Sequence, residues 1–144
     1  EAKVDEPFGN ETVGEYRQRM LGLRLKGKRT RAPERIDSLL HLVAGSDESA
    51  WTDIPYQLLT ALAGTVLQGR IDKSDVAVFV VHEFHTLSTK EDNLRRNTEA
   101  FSQFVRVLID ESDLRVSEGM LYAAGIVGGL EVLVGKVVGV VSCS

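Results

Sequence analysis

Cysteine is almost missing from this sequence: Cys143 is the only one in 144 residues. A single thiol excludes an intrachain disulfide and a multi-cysteine metal centre, and it fits a reducing, cytoplasmic setting. An excess of positive charge is missing too, because the formal net charge is -4. The chain as a whole therefore has no attraction for nucleic acid, although a local basic patch can still supply one. No apolar run reaches the roughly 20 residues of a membrane helix. The nearest, Leu121 to Val141, is interrupted by Gly125, Gly128, Gly129, Glu131, Gly135, Lys136 and Gly139. Its short β-branched blocks read as strands, and no membrane partner is expected. Gly-x-Gly-x-x-Gly, Gly-x-Ser-x-Gly and Cys-x-x-Cys are all absent. Dinucleotide-dependent, serine-hydrolase and thiol-redox chemistries therefore lack their usual motifs.

What is present supports a packed domain. Apolar residues make up 43% and charged residues 26% of the chain, a globular balance that argues against disorder. The length suits one α/β domain spanning residues 1–144. Residues 1–4 read as a strand that starts abruptly, followed by turn formers from Asp5 to Asn10. Thr12 and Glu15 have the spacing of a capping box and predict a helix over residues 13–22, with Tyr16, Met20 and Leu23 inward. Pro33 suits the first position of a second helix, whose apolar stripe is Ile36, Leu39, Leu40 and Val43. The strongest helical pattern runs from Pro55 to Gly69, with Tyr56, Leu59, Leu62, Ala63, Val66 and Leu67 inward. Ala61, Ala63 and Gly64 suit close packing on a sheet.

Val76 to Val81 is an unbroken apolar run, which predicts a central strand buried on both faces. Residues 82–96 are polar and read as a loop. Asn97 or Thr98 can cap a helix through about Leu108, with Phe101, Phe104, Val105 and Leu108 inward. Strands follow near 120–127, 130–134 and 136–141, the first two joined by a hairpin at Gly128-Gly129.

The chemistry-bearing feature is Glu1-x-Lys3. Alternate residues of a strand share a face, so a carboxylate and an ammonium stand roughly 6–7 Å apart along the backbone. Carboxylate oxygen is the ligand that Mg2+ prefers, and a nearby ammonium can stabilise charge developing on a phosphodiester. One carboxylate does not complete a Mg2+ site, so a second must come from elsewhere. The competing reading is an ordinary solvent-facing strand, where such spacing is common.

The segments Glu1 to Gly9, Thr12 to Glu15, Gly27-Lys28-Arg29, Pro55 to Leu59 and Val78 to Phe84, with the glycine-containing hairpin, resemble a group of uncharacterised bacterial proteins. That group is placed in the PD-(D/E)XK, or restriction-endonuclease-like, superfamily. The resemblance implies an α/β fold with a mixed central sheet flanked by helices. It also implies Mg-dependent phosphodiester hydrolysis, with Glu1 as metal ligand and Glu1, Lys3 and Gln57 as catalytic residues. The superfamily's acidic residue on the preceding strand has no counterpart here, so the expected fold is N-terminally truncated or incomplete. The alternative is a non-catalytic domain on a degenerate nuclease fold that binds nucleic acid or protein.

Two further groups stand out. Arg24, Lys26, Lys28, Arg29 and Arg31 put five basic side chains in eight residues. This segment, 24–31, is a candidate DNA contact in which Lys26, Lys28, Arg29 and Arg31 meet phosphates; otherwise it is a solvated linker. His82, Glu83 and His85 can be read as zinc ligands. The spacing is wrong for the helical zinc-protease motif, and satisfied polar residues at a sheet edge are the expected reading. A strand beginning at the first residue also leaves an edge through which the chain can form a homo-oligomer.

Overall fold

The computed structural model describes residues 2–4 as backbone, then residues 7–45 and 47–140. The elements are β1 (Ala2–Val4), α1 (Val13–Leu25), α2 (Ala32–Val43), a 3-10 turn at Ser49–Trp51, α3 (Tyr56–Ile71), β2 (Val76–His85), α4 (Glu91–Ile109), β3 (Leu121–Val127) and β4 (Leu130–Val140). Among the described residues they form a mixed four-stranded sheet in the order β1-β2-β4-β3 with four α-helices. β1 and β4 both run parallel to β2, and β3 is antiparallel to β4. Each parallel pair needs a long crossover. The three helices α1–α3 provide it between β1 and β2, while α4 and β3 provide it between β2 and β4. This is an open α/β architecture, as the order of helical and strand patterns predicts.

The Thr12–Glu15 capping box forms. The Glu15 amide donates to Thr12 Oγ1 at 3.3 Å, and the Thr12 amide donates to the Glu15 carboxylate at 2.8 Å. Replacing Thr12 with Ala should lower stability by about 1 kcal/mol, readable as a reduced urea midpoint at unchanged slope.

The core gathers Ile36, Leu40, Trp51, Leu58, Leu59, Leu62, Val66, Phe79, Val81, Phe101 and Phe104. Trp51 and Phe79 both meet Phe104 edge-on. The expected inward faces of α2 and α4 are largely correct. On α3, Leu67 points outward instead, and Gly64 is exposed, so close packing on the sheet does not run through it.

Three expectations need correction. First, β2 is an inner strand, but only one of its faces is covered among the described residues. Ala77, Phe79, Val81 and Glu83 are buried, whereas Val76 and Val78 are 44% and 49% exposed. A continuous apolar run was not, here, a sign of two covered faces. Second, His82 to His85 extend β2 rather than forming a loop, and α4 starts at Glu91. Hydrogen bonding to β1 and β4 holds these polar residues in the sheet despite their composition. Third, β4 runs unbroken through Gly135-Lys136. Gly135 does not end the strand: a Cβ there would lie 2.7 Å from the Met120 carbonyl oxygen, so the close approach of the neighbouring backbone requires glycine. In addition, α1 extends to Leu25, past the expected end near residue 22.

Among the described residues, no helix is long and apolar enough to cross a membrane. Cys143 lies outside the described residues.

Candidate functional site

β1 is joined to β2 in parallel register, with Ala2 opposite His82, Lys3 opposite Glu83 and Val4 opposite Phe84. Lys3 therefore stands level with a buried acidic residue. Glu1 and the side chain of Lys3 lie outside the described residues, as do Asp5 and Glu6.

Glu83 is 2% exposed and sits at the centre of a polar network under the helical layer. Its Oε2 is 2.6 Å from Lys136 Nζ, and Lys136 is itself 2% exposed. Their placement follows from strand register: Lys136 is opposite Val81, two residues before Glu83 on the same face of β2. The Lys136 ammonium also donates to Thr98 Oγ1 at 3.2 Å and lies 3.7 Å from the Glu118 carboxylate. On the other side, Asn97 Nδ2 donates to Glu83 Oε1 at 3.3 Å, and His85 Nε2 is 3.4 Å from the same oxygen.

The network reaches back to the segment after β1. The Phe8 amide donates to Asn97 Oδ1 at 3.2 Å. One asparagine thus ties the chain leaving β1 to the acidic group that lies level with Lys3. Next, Gly9 adopts φ +64°, a left-handed conformation that favours glycine, and lies against α3. A Cβ at Gly9 would stand 3.7 Å from Gln57 Oε1. Gln57, in the first turn of α3, is therefore beside the segment leaving β1. The chain is clamped further along, where the Val13 amide donates to the Ile54 carbonyl at 2.8 Å and the Tyr56 amide donates to the Glu11 carbonyl at 3.1 Å. Tyr16 stacks on Tyr56 at 4.3 Å between ring centroids, and burial pushes the Tyr56 phenol above its ordinary range.

The residues Phe8, Gly9, Asn10, Glu15, Arg96 and Asn97 line an open cleft of about 290 Å³ beside this segment. Of the expected site residues, Gln57 lies beside the segment 7–10, while Glu1 and the Lys3 side chain are outside the described residues. The basic segment lies apart, at the far end of α1.

His82, Glu83 and His85 do not converge. Glu83 and His85 share the covered face, while His82 packs against Phe84 with ring centroids 3.9 Å apart. The Glu83 carboxylate is already paired with Lys136 and does not fit a zinc or magnesium ligand. Among the described residues, no three His, Cys, Asp or Glu side chains form a group able to hold a metal ion. The described residues therefore do not fit a metal centre, and Glu1, the expected Mg2+ ligand, is outside them.

The sequence reading did not find the partnership of Glu83 with Lys136. Lys136 was read only as a break in the terminal strands. The available signal was a lysine flanked by apolar residues on both sides, Val132-Leu133-Val134 and Val137-Val138, which implies a buried ammonium and hence a buried acid.

A family model described as a domain of unknown function, DUF6946, matches residues 1–141. The chain belongs to that family. No curated protein and no solved structure matches it.

Proposed function

We propose that this member of the DUF6946 family acts on the phosphodiester backbone of nucleic acid, on a restriction-endonuclease-like plan, with Glu1, Lys3 and Gln57 as its site residues. The reading rests on the Glu1-x-Lys3 resemblance. The observation that carries it further is the placement of β1. The strand is built into the sheet level with Glu83, and the chain leaving it is drawn by Asn97 and Gly9 onto the α3 turn that bears Gln57.

In this reading the Lys3 ammonium stabilises negative charge that develops on the phosphoryl oxygens during attack. Gln57 orients the substrate through its amide. The Glu83–Lys136 network does not touch the substrate. It sets the position of β1 and its exit segment.

The test is incubation of the purified protein with single- and double-stranded DNA and RNA, with Mg2+, with Mn2+ and with a chelator. Cleavage that Glu1→Gln and Lys3→Ala both abolish supports the reading. Intact substrates under every condition refute hydrolysis. Salt-dependent binding without cleavage would favour the non-catalytic alternative, for which the closed Glu83–Lys136 pair is the structural argument.

A further inference from the structure

We infer that the loop between α1 and α2 is a second phosphate-contact point, remote from β1, so that the substrate is a nucleic-acid polymer and not a mononucleotide or dinucleotide. The inference rests on the proposed function for the position of the first contact.

The loop is positively charged because of how its neighbours are paired. The basic residues of α1 itself are neutralised: Arg17 pairs with Asp37 at 2.7 Å, and Arg19 forms a two-pronged pair with Glu11 at 2.6 and 2.7 Å. Arg24 is spent on the loop's own structure. Its Nη2 donates to the Thr30 carbonyl and to the Glu34 carboxylate, both at 2.6 Å. The hydrogen bond from Arg24 holds the Glu34 carboxyl below its ordinary range, and the charge of Arg31 adds to the effect. What remains is Lys26, Lys28, Arg29 and Arg31. All four are exposed, and none makes an ion pair among the described residues.

The loop also has a defined shape. The Gly27 amide donates to the Arg24 carbonyl at 2.9 Å, the Lys28 amide to the Leu23 carbonyl at 3.1 Å, and the Ala32 amide to Thr30 Oγ1 at 3.1 Å. These bonds fix the backbone from which the cations project, which reduces the part of the entropic cost of binding that comes from ordering the loop. Arg24, Lys28, Arg29 and Arg31 border an open concavity of about 520 Å³ there.

Distance turns this patch into a statement about substrate. The N-terminus of α1 abuts Ile54 and the Gly9–Gln57 contact, while its C-terminus carries the loop. The 13 residues of α1 separate the two by about 20 Å at 1.5 Å per residue. That gap exceeds the spacing of neighbouring phosphates on one strand, so the two contacts fall on phosphates well apart in a longer chain or on the two strands of a duplex. A mononucleotide or small diester cannot bridge it. The contact carries no base readout, because lysine and arginine on phosphate position a duplex without reading it.

The experiment compares the parent protein with Lys28→Glu/Arg29→Glu and, as a milder variant, Lys28→Gln/Arg29→Gln. Binding to a labelled dinucleotide and to a labelled 24-base-pair duplex is measured by fluorescence anisotropy across salt concentration. Hydrolysis of the long duplex and of a small aryl phosphodiester is measured in parallel. The charge reversal should weaken binding to the long duplex at least tenfold and reduce its salt slope by about 2. Binding to the dinucleotide, and turnover of the small diester, should be unchanged. KM for the long duplex should rise with kcat preserved. Equal affinity of parent and variants for the long duplex would overturn the inference, as would equal parent affinity for polyglutamate, which would make the patch a site for acidic polypeptides. Absence of hydrolysis in the parent would count against the proposed catalytic function alone, because the binding measurements still decide the role of the loop.

Discussion

Replacing Lys136 with Met is expected to lower the unfolding free energy by about 3–5 kcal/mol, because it leaves the Glu83 carboxylate buried without its counter-charge. Both members of the pair are 2% exposed and their charged atoms are 2.6 Å apart. Removing one partner therefore leaves the desolvation cost of the other in full. Asn97 and His85 contact the opposite carboxylate oxygen, Oε1, and cannot replace an ammonium at Oε2. The double variant Glu83→Leu/Lys136→Met removes both charges together and should recover most of the loss. Urea denaturation of the two single variants and the double variant gives the coupling between the residues directly. A double variant as unstable as Lys136→Met would show that packing at residue 136, and not the unpaired carboxylate, sets the cost. The same measurement bears on function: if the network positions β1, the double variant should fold well yet bind or cleave nucleic acid poorly.

If the protein cleaves phosphodiesters as proposed, Lys3→Ala should reduce the rate by about a hundredfold or more, the usual scale for removing one group that stabilises transition-state charge. KM should change little, since Lys3 in this role acts mainly on the developing charge. Lys3→Arg retains the charge but not the compact ammonium, and should recover only part of the rate. Thermal unfolding of Lys3→Ala should stay close to that of the parent. A fall in cleavage that tracks loss of folded protein would assign Lys3 a structural role instead.

Much of the architecture was legible from local patterns. The Thr12–Glu15 spacing located the start of α1, because a capping box involves only residues within one turn. The apolar stripes of α2 and α4 followed from helical periodicity. Boundaries failed where tertiary pairing overrode composition. His82 to His85 are polar, yet they are strand because β1 and β4 pair with them from both sides. Gly135 resembles a strand breaker, yet it is the residue that lets the Met120 backbone approach. The Glu83–Lys136 pair joins residues more than fifty positions apart, and no local pattern encodes that separation.

The sequence by itself determined the class of the protein. It specified an α/β order of elements, with hydrophobic periodicity setting the helices and a β-branched run setting β2. It also placed a carboxylate and an ammonium two residues apart at Glu1 and Lys3, and a cluster of cations between Arg24 and Arg31. The tertiary structure alone decided which of those charges remain available. Pairing assigns Arg17, Arg19 and Arg24 to carboxylates and leaves Lys26, Lys28, Arg29 and Arg31 exposed. Sheet register buries Glu83 against Lys136 and sets Lys3 level with that pair. A charge is written into the chain residue by residue, but its availability depends on the partner that the fold brings within a few ångströms.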